Sequence, residues 1–233
     1  MQNATACFFR VEKVERCDAV KCKEEWLRLY AVTDRKWTNI DKTLEQQVEE
    51  GIAGGVTMVQ FREKNLSGQA YMEAAKKVQA VCRKYKVPFI INDLVEMAKI
   101  LDADGVHVGQ EDMALAEARK YLGEGKIIGV SAHTVEEAVT AEAEGADYLG
   151  VGAVFTTQSK GNVTNMPYTS LQDICSAVSI PVVAIGGINQ DNILQLSGSG
   201  IVGVAVIQSI FGMQDSKTAA MELRQKVAKL HIG

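Results

Sequence analysis

The segment Gln60-Phe61-Arg62-Glu63-Lys64 closes a short apolar run, and a period of two sends Gln60, Arg62 and Lys64 to one side and Phe61 and Glu63 to the other. A guanidinium and an ammonium converging there form a cationic clamp suited to phosphate or diphosphate oxygens. The plainer reading is a solvated strand end with a surface ion pair to Glu63. The next two apolar runs end in Ile91-Asn92-Asp93 and in Val106-His107-Val108-Gly109-Gln110-Glu111-Asp112, which puts two carboxylates, Asp93 and Asp112, on neighbouring loops. They are hard oxygen donors of the kind Mg²⁺ takes one or two at a time, filling its other positions with water and substrate phosphates. Both also precede helical patterns and qualify as helix N-caps. Beside Arg62 and Lys64 they suggest a Mg²⁺-diphosphate site. His107 has inward alternation at the mouth, although a lone His more often packs than ligates.

A second set follows. Gly129-Val130-Ser131-Ala132-His133-Thr134 places the Ser131 hydroxyl within reach of a ligand, Thr134 as a helix cap and His133 in solvent. Thr156-Thr157-Gln158-Ser159-Lys160 is a hydroxyl-rich loop ending in a cation, able to hold a phosphate but also common as a plain turn. Ile185-Gly186-Gly187-Ile188 and Val206-Ile207-Gln208-Ser209 close the last two runs. Glycine permits close backbone approach, and loops in these positions of a barrel often bind phosphate through free N–H groups; the alternative is that the Gly pair only eases a tight turn. Two anionic sites emerge, one for Mg²⁺-diphosphate and one for a monophosphate.

The elements that must position these groups repeat regularly. Strands are expected at Leu29–Thr33, Thr57–Phe61, Phe89–Ile91, Gly105–Val108, Ile127–Val130, Tyr148–Val151, Val182–Ile185 and Gly203–Val206. Helical patterns separate them, among them Ser67–Lys84, opened by a small capping residue, and Thr134–Glu144, with Thr134 and Glu137 at capping-box spacing. Continuous apolar strands joined by helical crossovers indicate a parallel sheet buried on both faces. Eight near-equal units without GxGxxG after the first strand favour an α/β fold of the closed (β/α)8 TIM-barrel type, eight parallel strands, over an open doubly wound sheet. Residues 1–27 carry no such rhythm and read as an N-terminal extension; residues 28–233 read as the barrel and catalytic domain.

Composition narrows the class. With 25 Lys+Arg against 29 Asp+Glu the net charge is −4, and no basic block suggests nucleic acid as a partner. No apolar run is long enough for a membrane span. Five scattered cysteines, an odd number in a chain this long, read as reduced thiols, and the first residues lack the apolar core of a signal peptide, so a cytoplasmic location is expected. A homo-oligomer remains open.

In order, Leu29-Tyr30-Ala31-Val32-Thr33-Asp34, Gln60-Phe61-Arg62-Glu63-Lys64, Ile91-Asn92-Asp93, Gly105-Val106-His107-Val108-Gly109-Gln110-Glu111-Asp112-Met113 and Ile185-Gly186-Gly187-Ile188 resemble the thiamin phosphate synthase family from about Leu29 to the C-terminus. That resemblance implies a TIM barrel that joins 4-amino-5-hydroxymethyl-2-methylpyrimidine diphosphate to 4-methyl-5-(2-hydroxyethyl)thiazole phosphate, giving thiamin monophosphate and pyrophosphate through a dissociative pyrimidine-methylene cation. It implies Mg²⁺ as cofactor, held by Asp93 and Asp112. Arg62, Lys64, Asn92 and Lys160 would bind the diphosphate, Gln60 the pyrimidine, and Ser131 would lie near the reacting methylene; Arg62, Lys64, Ser131 and Lys160 form the implied catalytic set. Thr157, Ser159, Gly187, Ile207 and Gln208 would hold the thiazole phosphate.

Three departures stand out. Thr156 replaces a usual Pro, Gln208 stands where a Ser is usual, with Ser209 one place later, and residues 161–166 continue differently. The alternatives are a thiazole tautomerase, an isomerase with no need of a Mg²⁺-diphosphate site, and a non-catalytic barrel that binds thiamin phosphates.

Overall fold

A computed structural model describes residues 22–38, 41–156 and 166–230. Eight strands alternate with helices: α1 (Glu24–Leu27), β1 (Leu29–Val32), α2 (Leu44–Ala53), β2 (Met58–Phe61), α3 (Gly68–Tyr85), β3 (Phe89–Asn92), α4 (Val95–Ile100), β4 (Gly105–Val108), α5 (Leu115–Leu122), β5 (Ile127–Ala132), α6 (Val135–Glu144), β6 (Tyr148–Val151), α7 (Tyr168–Ala177), β7 (Val182–Ile185), β8 (Gly203–Val206), α8 (Gln208–Phe211) and α9 (Ser216–Val227). Each strand pairs in parallel with the next, and β8 returns to β1 through Tyr30↔Ala205, closing the barrel. The expected strands match to within a residue or two. The crossover from β7 to β8 differs: it contains only a 3-10 turn, Ile193–Leu196, because Gly198 and Gly200 break the helical pattern and Asn189 and Asn192 bond their side chains to local N–H groups instead.

Strand alternation creates two cores. Leu29, Ala31, Val59, Phe61, Ile91, Val106, Ile128, Leu149, Ala184 and Val204 face outward against the helices. Tyr30, Met58, Ile90, Ile127, Tyr148, Val183 and Ala205 face inward and fill the barrel with a second cluster. Leu27 of α1 and Cys22 are buried against this inner cluster, so packing on the barrel begins ahead of residue 28.

Helix ends follow local chemistry. Thr134 accepts a hydrogen bond from the Glu137 N–H, as expected, but the Glu137 carboxylate turns to His133, whose backbone N–H and Nδ1 it binds at 2.7 and 3.2 Å. The capping box is therefore half formed, and His133 has a partner. Ser67 occupies the N-cap position of α3 without a side-chain bond. Thr43 and Gln46, not singled out in the sequence, make a full capping box on α2. Among the described residues no helix is long and apolar enough to cross a membrane.

Candidate active site

The C-terminal strand ends bring the first residue set together. Arg62, just past β2, is fixed by reciprocal bonds between its backbone and the Thr33 hydroxyl, and its Nη1 meets Asp34 Oδ2 at 2.6 Å with both side chains largely buried. Glu63 does not pair with Arg62 or Lys64, as the plainer reading of this segment allowed. Its side chain is 1% exposed and binds Arg35 Nε at 2.6 Å, because alternation directs it away from its two cationic neighbours. Lys64 reaches instead across to Asp93, Nζ to Oδ2, at 3.0 Å.

Asn92 ends β3 opposite His107 of β4. The next residue, Asp93, has φ +62° and donates its N–H to the His107 carbonyl at 2.8 Å, a left-handed backbone at a position that offers a carboxylate to the mouth. Neither Asp93 nor Asp112 caps a helix: Leu94 and Ala114 occupy the N-cap positions of α4 and α5 and make no side-chain cap bonds. Asp112 accepts the Gly109 N–H at 2.7 Å. Partial enclosure, then the nearby charge of Asp93 and a hydrogen bond with it, hold the Asp112 carboxyl above the usual range, against the opposing pull of the Gly109 N–H and Lys64. Two interacting carboxylates are a donor set that a hard divalent cation would relieve. Among the described residues no cluster of three or more His, Cys, Asp or Glu forms a ready-made cage, and Mg²⁺ with substrate phosphates needs only one or two carboxylates.

The second set lines a cavity of about 500 Å³ over β5 to β8, bounded by Ser131, Gly187, Ile207 and Gln208. A Cβ on Gly187, at φ +64°, would lie 2.3 Å from the Thr156 carbonyl oxygen, and one on Gly186 would lie 2.5 Å from the Ala153 Cα. The Gly pair is thus required by the close approach of the loop after β6, whatever the cavity holds. Asn192 secures the turn, Nδ2 donating to the Gly187 carbonyl at 2.9 Å. Ser209 points away from any role in place of Gln208, since its hydroxyl donates to the Ile188 carbonyl. Lys160, Thr157 and Ser159 lie outside the described residues.

Three residues that the motifs left without a role join the site. Asp34 holds Arg62, while Tyr30 and Tyr148 face inward and lie fully buried between Gln60 and His107. Their signal in the sequence was a polar tip at an inward position of an otherwise apolar strand, because a buried polar atom needs a partner across the barrel.

The family model for thiamine monophosphate synthase matches residues 29–210. The chain is 47% identical over 195 residues to the thiamine-phosphate synthase of Clostridium tetani, covering 84% of this chain and 93% of that protein. It is 48% identical over 195 residues to that of Ruminiclostridium cellulolyticum, covering 84% and 92%. The solved thiamine phosphate pyrophosphorylase of Pyrococcus furiosus superposes with a TM-score of 0.81 at 39% identity, covering 89% of this chain and 98% of that one. The chain belongs to the thiamine monophosphate synthase family, transferases of thiamin biosynthesis.

Proposed function

We propose that the chain joins a hydroxymethylpyrimidine diphosphate to a hydroxyethylthiazole phosphate, forming thiamin monophosphate and pyrophosphate between the two halves of the barrel mouth. The observation that carries this reading is the Asp93–Asp112 pair: two interacting carboxylates, neither used as a helix cap, beside Lys64 and Arg62 and across the mouth from a separate cavity of about 500 Å³. A thiazole isomerase has no use for that acidic and cationic half, and the matched relatives are named as synthases.

In this reading Asp93 and Asp112 hold Mg²⁺, and Arg62, Lys64, Asn92 and Lys160 surround the diphosphate. Bound Mg²⁺ supplies positive charge against the leaving pyrophosphate. Gln60 orients the pyrimidine, and Ser131 lies beside the methylene carbon. Thr157, Ser159 and backbone at Gly187, Ile207 and Gln208 hold the thiazole phosphate. No protein nucleophile is needed, because the aminopyrimidine stabilises a methylene cation once pyrophosphate departs and the thiazole nitrogen then attacks it. The residues contribute by positioning and by offsetting charge.

The test is incubation of the protein with both substrates, with Mg²⁺ or with EDTA, measuring thiamin phosphate and pyrophosphate. Equal, Mg²⁺-dependent amounts of both are expected. Folded protein that makes neither product with Mg²⁺ present would overturn the reading.

A further inference from the structure

Four hydrogen bonds run through the barrel interior from Gln60 to Ser131. Gln60 Nε2 donates to Tyr30 Oη at 2.8 Å, the Tyr30 and Tyr148 hydroxyls lie 2.8 Å apart, Tyr148 Oη is 3.0 Å from His107 Nδ1, and His107 Nε2 is 3.0 Å from Ser131 Oγ. The sequence makes room for this line by omitting side chains beside it. A Cβ on Gly129 would sit 2.1 Å from Cζ of Tyr148, and one on Gly150 would sit 3.0 Å from Cε1 of His107. Burial pushes both phenols well above their ordinary range, so each hydroxyl keeps its proton.

Counting protons gives the line a direction. Each hydroxyl carries one proton and a neutral imidazole carries one N–H. The Gln60 amide donates to the Tyr30 oxygen, and placing every buried proton in a bond then sends the Tyr30 proton to Tyr148 and the Tyr148 proton to His107 Nδ1. As an acceptor there, His107 carries its proton on Nε2 and donates it to Ser131 Oγ, which leaves the Ser131 proton for the cavity. We propose that these five residues form a proton-ordered chain in which the Gln60 amide sets the His107 tautomer and makes Ser131 a hydrogen-bond donor to the ligand. Tyr30, Tyr148 and His107 are then positioning residues.

The functional weight of the ordering rests on the reading of Gln60 and Ser131 as pyrimidine-side contacts. A ligand amino group accepted by Gln60 Oε1 would hold the amide with Nε2 turned inward, and the other end of the chain would then donate to a ligand acceptor. An aminopyrimidine with a diphosphate ester offers both kinds of group, so the two ends would recognise one substrate together.

The experiment is nitrogen NMR on histidine-labelled, ligand-free protein, with the His107 ring signals assigned among three histidines by their loss in His107→Gln. The wild-type ring should carry its proton on Nε2 with Nδ1 bare. In Gln60→Glu, read above the pH at which the buried carboxyl loses its proton, the carboxylate only accepts, so Tyr30 must donate to it, the order reverses, and the His107 proton should move to Nδ1. Adding Tyr148→Phe cuts the chain and should abolish that response. A wild-type Nδ1–H tautomer, a doubly protonated ring, or a Gln60→Glu protein with an unchanged tautomer would each overturn the proposal. The wild-type spectrum carries the test even if the variant does not fold. Turnover is read separately, in the product assay, so an ordered chain in an inactive protein counts against the synthase reading alone, and turnover with the wrong tautomer counts against the ordering alone.

Discussion

Arg62 is clamped by Asp34 at 2.6 Å, so the cation expected to meet a diphosphate is oriented from the loop after β1. Asp34 also accepts the Lys36 N–H at 3.0 Å and so fixes the 3-10 turn Arg35–Trp37. Asp34→Asn should keep the turn and weaken the clamp. A charged, largely buried hydrogen bond contributes about 1.5–3 kcal/mol, so a rise of roughly tenfold or more in KM for the diphosphate substrate is expected, with KM for the thiazole phosphate unchanged. Equal changes in both constants would show a general loosening of the mouth rather than the loss of an oriented cation.

Asp112 carries a signed pH dependence. Its carboxyl titrates above the ordinary 3.8, so its protonated form stabilises the metal-free fold, and that contribution is lost as pH rises through the elevated value. Asp112→Asn retains an acceptor for the Gly109 N–H and removes the charge facing Asp93. Without Mg²⁺ the variant should gain in Tm relative to wild type as pH is raised from 3.8 toward neutrality, while turnover with Mg²⁺ falls sharply. A pH-independent difference in Tm would argue against repulsion between the two carboxylates.

Gly187→Ala tests the lining of the cavity over β5 to β8. Its Cβ meets backbone oxygen at 2.3 Å, which no side-chain rotation relieves, and φ is +64°. A loss of about 2–4 kcal/mol is expected, combining steric displacement with left-handed strain. Gly145→Ala is the control: φ is +96° there but nothing lies within 4 Å, so it should cost only about 1–2 kcal/mol. Chemical denaturation of both variants separates the two contributions, and equal losses would mean that the loop after β6 yields.

Leu27 is fully buried under the barrel although it precedes β1. Leu27→Ala should destabilise the fold by about 2–5 kcal/mol, the range for large-to-small changes in a packed core. A change under 1 kcal/mol, measured by denaturation, would show that α1 does not contribute to the inner cluster.

Local order alone determined the strands, the barrel class and the residues at the strand ends. Period-two alternation set Gln60 on one side with Arg62 and Lys64 and turned His107 inward, and the ends of consecutive strands put Asp93 and Asp112 on neighbouring loops. The sequence could not choose among partners. Whether Glu63 paired with Lys64 or Arg35, whether Asp93 capped a helix or met Lys64, and whether Gly186 and Gly187 served a ligand or a neighbouring loop depended on which backbones approach when the sheet closes. The line from Gln60 through Tyr30, Tyr148 and His107 to Ser131 draws on five strands. Its members lie up to 118 residues apart along a single bond, and no periodicity spans that distance. Alternation fixes which way a side chain points, a local property of the backbone; what it meets there is decided by barrel closure and by the need of every buried polar atom for a partner.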